Sequence, residues 1–352
     1  MTRIGFLSKW GDDRGLSMLT LSYCKMLNGQ HELFILKQGN NQISDNYKTV
    51  DVSITESKEY AVEPQAFVEW LSTNKIDCVF FNEFNQWQPQ PDNLVKIARD
   101  LGVRTYAAEL VVERFTPAQA KEYDRILAPT LSYIKFMRAN KIRNFTYVPY
   151  SIDLKEFNRT KKKTDKFTFF HPGGMGGVME RKNTRAVVEA FKKLNREDVR
   201  LVITSQKPLL IESSPLDIVL INKNLTRDEL LDLYYSVDAS VLPSKWESIG
   251  IPILESLAAG VPVITTDTTP MNAFVKVGLN GFLCFPDFVP YEGISINAAE
   301  VSPTAIKVAM ENMMNETLYP MLSRNASYII KQSFDLEKNK KYILDFLRED
   351  LK

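Results

Sequence analysis

Two glutamates in the second half of the chain have a spacing and a setting suited to binding hydroxyl and phosphate groups. Glu247 follows an apolar run in a polar loop, and Glu255 lies eight positions further on. Proline suits the first turn of a helix and glycine its C-terminal cap, so the sequence predicts a short helix that begins at Pro252 and stops at Gly260. Unpaired amides at a helix start favour a phosphate group. The two carboxylates therefore flank a predicted anion site.

A glycine-rich segment ahead of this motif carries the opposite charge. It runs from Pro172 to Gly177 and is followed by Arg181 and Lys182. Glycines let the backbone approach a ligand, and two adjacent cations offset the charge of a diphosphate as it becomes a leaving group. The segment and the histidine before it contribute three candidate donor-binding residues: His171, Gly173 and Gly174. For His171, a hydrogen-bonding role in the fold stays open beside a role in the reaction.

The stretch from Pro243 to Asp267 resembles the signature of glycosyltransferase family four. Members of this family are retaining enzymes of GT-B architecture in which seven residues separate two glutamates. The flanking Pro-Ser, Gly-Ile-Pro, Glu-Ser-Leu-Ala-Ala-Gly and Pro-Val-Ile match as well. The resemblance implies that Glu247 binds hydroxyls of the donor sugar and that Glu255 binds the ribose. It adds four candidate donor-binding residues between them: Ser248, Ile249, Gly250 and Ile251.

The resemblance also implies the fold and the reaction. The expected α/β fold is GT-B, with two facing Rossmann-like doubly wound domains and a cleft between them. The expected enzyme is a hexosyl- or pentosyltransferase that moves a sugar from a UDP-sugar, a GDP-sugar or a similar donor to an acceptor hydroxyl with retention. Glu247, Arg181 and Lys182 are its expected catalytic residues. No cofactor is expected, and the chain has no Asp-x-Asp pair that would hold a metal ion in the other main sugar-transferase architecture.

The chain departs from the family pattern at two places. Lys182-Asn183 matches the family's Lys-Asn pair, but the arginine that precedes it in the family has no counterpart, so Arg181 is expected to take over its work. Many members carry a histidine after the strand that Val103 to Ala107 represents, and this chain has none there.

The first half of the chain is expected to supply the acceptor side. Its loop from Lys9 to Gly15 follows the first predicted strand, at the edge where ligands bind in open α/β sheets. Gly15 fits the close approach of backbone to the donor phosphates. The acceptor-side candidates are Asp12, Asp13, Arg14, Glu83 and Glu109.

Strands alternate with helices along both halves, which predicts parallel sheets. The polar run Lys161 to Lys166 precedes a new strong strand and indicates a domain boundary. The predicted domains are an acceptor-side domain at 1–160 and a nucleotide-sugar-binding domain at 161–334. The apolar spacing in 335–352 predicts a last helix that packs back on the N-terminal domain.

Length, charge and composition limit the classes of protein to which the chain can belong. A chain of 352 residues is too long for a single hydrophobic core, which predicts two domains. The net charge of +1 gives no overall attraction to nucleic acid or anionic lipid. Three distant cysteines argue against a disulfide framework or a zinc site. The first residues lack the pattern of a secretory signal and the sequence has no run of eighteen apolar residues, so we expect a cytoplasmic protein without stable membrane insertion.

Other functions stay open at this stage. The basic stretch Lys135 to Arg143 is expected to be a solvated helix face, but it would also suit a lipid-linked acceptor or a modified DNA base. Glycans, proteins and small metabolites are further acceptor classes. A non-catalytic sugar-nucleotide-binding or scaffold protein would share the fold. The sequence does not indicate the donor base, the donor sugar or the oligomeric state.

Overall fold

The computed structural model describes residues 1–11, 15–57, 61–82, 91–107, 117–174, 180–211, 214–291 and 297–351. The chain forms two compact units. The first consists of Met1–Ser151 together with Leu336–Lys352, and the second is Ile152–Asp335.

The first unit is built on a parallel sheet. In its described part the sheet has seven strands in the order β3-β2-β1-β4-β5-β6-β7. The strands are β1 Arg3–Ser8, β2 Glu32–Gln38, β3 Ser53–Ser57, β4 Cys78–Phe81, β5 Arg104–Ala107, β6 Arg125–Ala128 and β7 Phe145–Tyr147. The helices are α1 Gly15–Leu27, α2 Pro64–Thr73, α3 Pro91–Asp100, α4 Pro117–Ala120 and α5 Leu131–Ala139, with a 3-10 helix at Asp45–Thr49.

The second unit repeats this strand order. Its described residues form a six-stranded parallel sheet in the order β10-β9-β8-β11-β12-β13 and a separate two-stranded antiparallel sheet. The strands are β8 Phe167–Pro172, β9 Val199–Ser205, β10 Asp217–Asn222, β11 Ala239–Leu242, β12 Val263–Thr266, β13 Gly281–Cys284, β14 Asp287–Val289 and β15 Ala298–Glu300. The helices are α6 Thr184–Leu194, α7 Arg227–Tyr234, α8 Ile251–Ala258, α9 Pro303–Met313 and α10 Tyr319–Ser333, with 3-10 helices at Leu154–Glu156 and Met271–Ala273.

Each unit is a Rossmann-like doubly wound domain, as the sequence predicts. Apolar runs such as β8 and β11 are buried because helices cover both faces of a parallel sheet. The strand order reverses between β1 and β4 in the first unit and between β8 and β11 in the second. In such folds ligands bind outside the carboxyl ends of the strands at these reversal points. The second reversal point lies between the glycine-rich segment and the glutamate motif.

The boundary between the units lies nine residues before the predicted one. The Ile152 amide donates to the Phe334 carbonyl at 2.8 Å, and Ile152 pairs with Asp335 in a β-bridge. Arg159 forms an ion pair with Asp232 at 2.5 Å and a second one with Asp228. Residues 152–160 therefore belong to the second unit, and the polar lysine run that indicated the boundary lies inside it.

The last helix, α11 Leu336–Asp350, belongs to the first unit. Its Phe346 ring packs edge-on against Tyr106 at 4.9 Å. Near the end of the helix the Asp350 carboxylate accepts from Arg104 at 2.8 Å, from Tyr106 at 2.9 Å and from Arg125 at 3.1 Å. The Asp350 side chain is only 6% exposed. Burial raises the pKa of Tyr106, and the hydrogen bond to Asp350 adds to that effect.

Two further findings concern the cysteines and the helices. Cys24, Cys78 and Cys284 are buried free thiols. Across the described ranges, no helix has the length and apolar character needed to cross a membrane.

Replacing Asp350 by alanine should lower the free energy of unfolding of the first unit by about 2 kcal/mol, because three donors would lose a buried charged acceptor. Urea denaturation followed by circular dichroism measures this change. Asp345, on the same helix, forms an exposed pair with Arg348 at 3.0 Å and serves as the matched control. Asp345→Ala should cost less than about 0.5 kcal/mol. Equal losses in the two variants would contradict the anchoring role of Asp350.

Candidate functional site

The loop between β11 and α8 forms the first part of the site. Gly250 caps the helix in the left-handed region at φ +86°, where other residues would be strained. Ile249 and Ile251, on either side of it, are buried and anchor the turn in the core. Ser248 is partly exposed in the same turn. Pro252 has no amide hydrogen and the Ile253 amide donates to Gly250 O at 2.9 Å, so the amides that this turn can offer to an anion are those of Gly250 and Ile251.

Glu247 is the centre of an ion cluster in this loop. Its Oε2 atom accepts from Arg181 Nη1 at 2.6 Å, and its Oε1 atom forms an ion pair with Lys182 Nζ. Ser244 Oγ donates to the same Oε1 atom at 2.8 Å. The Glu247 side chain is 9% exposed. The structure therefore brings the three predicted catalytic side chains together.

The charges of the cluster shift one another's pKa values. Burial alone would raise the pKa of Glu247, but Arg181 and Lys182 outweigh that effect and lower the pKa to about 2. Burial also lowers the pKa of Lys182, against the attraction of Glu247. The carboxylate is thus ionised at neutral pH, and one negative charge faces two cationic side chains.

The glycine-rich segment lies at the end of the neighbouring strand, β8. The Gly173 amide donates to Thr204 O at 2.9 Å, and a side-chain carbon at Gly173 would meet that same oxygen. Gly174 has φ +65°, and a side-chain carbon there would lie 3.8 Å from Lys182 Cε. Glycine is therefore favoured at Gly173 by the close approach of Thr204 O and at Gly174 by the positive φ angle. Residues 175–179, with the remaining glycines, lie outside the described residues.

His171 is buried at the end of β8 with both ring nitrogens engaged. Nδ1 lies 2.7 Å from Val241 O, and Nε2 lies 2.9 Å from Thr184 Oγ1. A carbonyl only accepts, so Nδ1 carries the proton and Nε2 accepts from the threonine hydroxyl. Burial lowers the pKa of His171 to about 4. The ring is neutral and ties β8 to β11 and α6, which is the structural alternative that the sequence left open.

Glu255 forms a second ion cluster one turn into α8. Its Oε1 atom pairs with Arg227, and its Oε2 atom accepts from Tyr234 at 3.3 Å. The same arginine contacts Glu156 at 2.9 Å, so one guanidinium lies between two carboxylates. The pKa of Arg227 is raised: burial opposes the shift, but the two glutamates outweigh it. Burial raises the pKa of the Tyr234 hydroxyl.

Sequence reasoning missed Arg227, Ser244 and Lys245. The Thr226-x-x-Glu229 capping box fixes the start of α7 and with it the position of Arg227. An arginine in the first turn of a helix is disfavoured by the helix dipole unless an anion lies nearby. That signal was readable, whereas the identity of the partner glutamates was not.

The first-unit candidates fall into two groups. Gly15 begins α1 and is exposed. The remaining acceptor-side predictions lie outside the described residues: Asp12, Asp13, Arg14, Glu83 and Glu109.

Most of the second unit matches a known family. Residues 153–289 match the family described as glycosyl transferases group 1. A glycogen synthase of Mycobacterium tuberculosis is 34% identical over 82 residues, which are 23% of this chain and 20% of that protein. An uncharacterized glycosyltransferase of Methanocaldococcus jannaschii, MJ1607, is 39% identical over 59 residues, which are 17% of this chain and 15% of that protein. The chain thus spans only a small part of the length of these curated relatives.

Solved structures share the fold over nearly the whole chain. Anabaena Alr3699/HepE in complex with UDP and glucose has a TM-score of 0.73 at 12% identity and covers 99% of this chain and 100% of its own. Sucrose-phosphate synthase of Thermosynechococcus elongatus has a TM-score of 0.71 at 13% identity and covers 99% of both chains. At these identities the likeness establishes the GT-B type of fold, with two Rossmann-like domains.

The neutral His171 should make stability fall as the pH is lowered. The unfolded state takes up a proton near pH 6.5, whereas the native ring resists protonation until about pH 4. The contribution of the neutral His171 to the free energy of unfolding is therefore fully present above pH 6.5. It is lost on acidification, at up to about 1.4 kcal/mol per pH unit. Urea denaturation between pH 7 and pH 5 measures the slope. His171→Gln should flatten this pH slope, whereas the control His31→Gln should keep most of it. An unchanged slope in His171→Gln would contradict the assignment of a neutral His171 ring.

Proposed function

We propose that this protein is a glycosyltransferase that transfers a sugar from a nucleoside diphosphate sugar. The observation that carries the proposal is the buried cluster of Glu247 with Arg181 and Lys182, at the amino end of α8 and at the strand-order reversal of the second unit. A diphosphate needs cations and unpaired amides, and a hexose needs a carboxylate that accepts from its hydroxyls. The cluster supplies the cations and the carboxylate, and the Gly250–Ile251 turn beside it supplies backbone amides.

Donor binding proceeds by an exchange of partners. In the free protein Glu247 neutralises part of the charge of Arg181 and Lys182. An incoming diphosphate competes for both cations, because it carries more negative charge than a single carboxylate. Glu247 then accepts from the sugar hydroxyls, so the carboxylate remains hydrogen-bonded throughout. The exchange couples recognition of the diphosphate to recognition of the sugar.

The Glu255 cluster fits the nucleoside part of the donor. Arg227 lies between Glu255 and Glu156, so this buried group carries one excess negative charge. Carboxylate oxygens with remaining lone pairs accept from the vicinal hydroxyls of a ribose. Tyr234 and Arg227 hold the Glu255 carboxylate in place and reduce the entropy cost of that contact.

The chemical step that we propose is the one that the family resemblance implies. The acceptor oxygen bonds to the anomeric carbon as the bond from that carbon to the diphosphate breaks. The departing phosphate takes the acceptor proton on the same face, while Arg181, Lys182 and the amides of the Gly250–Ile251 turn stabilise its charge. This course retains the anomeric configuration and employs neither a cofactor nor a metal ion. A UDP-sugar is our first choice of donor, supported by the UDP complexes of the structural relatives. A cytoplasmic location, in keeping with three free thiols, is part of the proposal.

Variants of Lys182 and Glu247 should affect nucleotide binding differently. A thermal-shift screen of UDP-, GDP- and ADP-sugars first identifies the nucleotide. Lys182→Met should then weaken binding of the nucleoside diphosphate about tenfold or more, because a cationic contact to phosphate is lost. Glu247→Gln should leave that binding equal or tighter, because the competing carboxylate is gone, yet lower sugar transfer by about a hundredfold or more.

Calorimetry measures the affinities, and release of labelled sugar measures transfer. Lys307→Met is the matched control, since Lys307 forms an exposed pair with Glu311 on α9. Equal weakening of nucleotide binding in Lys182→Met and Glu247→Gln would overturn the exchange. An anomerically inverted product, observed by NMR, would overturn the retaining course.

A basic pocket in the first unit favours an acceptor on an anionic carrier. Its cavity of about 360 Å³ is lined by Arg138, Lys141, Ile142, Arg143 and Phe145. The chain has no acidic residue from Arg125 to Ile152. Within the described part of the protein the three cations of the pocket make no ion pair. The pocket precedes β7, so it lies at the amino edge of the sheet and is suited to hold a carrier rather than the reacting hydroxyl.

Anionic vesicles should bind through this pocket if the acceptor is lipid-linked. Flotation with phosphatidylglycerol vesicles should succeed for the wild-type protein and fall about tenfold for Arg138→Ala/Arg143→Ala, since each basic side chain contributes on the order of 1 kcal/mol at such a surface. Lys48→Ala/Lys96→Ala removes the same charge elsewhere in the first unit and should float normally. Binding of DNA instead of vesicles, measured by anisotropy, would favour a nucleic-acid acceptor, and binding of neither would exclude an anionic carrier.

A further inference from the structure

The two-stranded sheet of β14 and β15 lies outside both parallel sheets. Asp287 to Val289 pair in antiparallel register with Ala298 to Glu300. Ala298 and Ala299 are buried, and so is Val301, which follows them. The second strand of this small sheet, β15, is therefore packed into the second unit. The proposed function does not use this element.

The β15 strand is joined to both halves of the Glu247 cluster. The Ala299 amide donates to Lys245 O at 3.0 Å, and the Lys245 amide donates to Arg181 O at 2.8 Å. Asn183 Nδ2, next to Lys182, donates to Val301 O at 3.1 Å. These hydrogen bonds connect the segment that carries the cations, the loop that carries the carboxylate and the strand β15.

Side chains reinforce this connection at Lys245. Its ammonium group forms an ion pair with Glu300 at 2.7 Å and lies 5.6 Å from the centre of the Tyr291 ring. Tyr291 also packs against Trp246 at 4.9 Å, one residue before Glu247. The Lys245 side chain is 8% exposed, so its charge depends on a partner more than that of a surface lysine.

We infer that Glu300 is a positioning residue, which acts through Lys245 to hold Glu247 at the distance where it engages Arg181 and Lys182. This inference rests on the proposed function of the cluster. Glu247 is two residues from Lys245, so a displacement of the Lys245 backbone moves the carboxylate relative to the cations. With the loop displaced, the cations still bind a diphosphate, but the carboxylate and the cations no longer contact one donor molecule together.

The matched control is another glutamate of the same unit. Glu311 pairs with Lys307 at 2.7 Å and is 47% exposed, against 2.7 Å and 45% for Glu300. The two pairs therefore match in distance and in glutamate exposure, and only one of them contacts the Glu247 loop. Glu300→Ala removes the positioning contact, Glu300→Gln keeps an acceptor for Lys245, and Glu311→Ala is the control.

The functional measurement is the ratio of the dissociation constants of UDP and UDP-glucose, obtained by calorimetry. Glu300→Ala should lower the preference for UDP-glucose over UDP about tenfold while UDP affinity changes less than about threefold. Glu300→Gln should recover most of the preference, and Glu311→Ala should match the wild type. An equal loss of both affinities, or no change in the preference, would overturn the inference.

Crystal structures of the unliganded variants provide a test that needs no donor. The Arg181–Glu247 distance of 2.6 Å should open beyond about 4 Å in Glu300→Ala and stay closed in Glu311→Ala. If the wild-type protein bound no nucleotide sugar, the proposed function would fail, and this distance would still decide the positioning role. An unchanged distance in Glu300→Ala would refute it.

Discussion

A buried carboxylate placed between two cations is the constraint on which this molecule depends. Glu247 is stable as an anion in its loop only because Arg181, Lys182 and Ser244 surround it. These partners come from two segments that are far apart in the sequence and follow neighbouring strands of one sheet. The reversal of strand order between β8 and β11 is what brings the segments together, so the fold and the cluster depend on each other.

Much of this arrangement was predictable because its signals are local. Glycine and proline mark the ends of α8, and the alternation of apolar runs with amphipathic segments predicts both parallel sheets. The spacing of Glu247 and Glu255 is the motif on which the family resemblance was based, and the matched range 153–289 contains both residues.

What the sequence did not reveal depends on side chains that meet only after folding. The pairing of Glu255 with Arg227 joins two helices whose separation in the sequence says nothing about contact. The strands β14 and β15 escaped prediction because they are too short for a periodic pattern. His171 was compatible with two roles until its ring nitrogens were assigned to Val241 and Thr184.

The ion pairs of Asp350 have a consequence for how the chain matures during synthesis. The second unit is one continuous stretch, Ile152–Asp335, whereas the first unit is completed by residues that are translated after it. Arg104 and Arg125 are translated more than two hundred residues before their carboxylate partner. The later-made unit can therefore finish folding while the earlier-made one still lacks a helix, which reverses the usual amino-to-carboxyl order of domain folding.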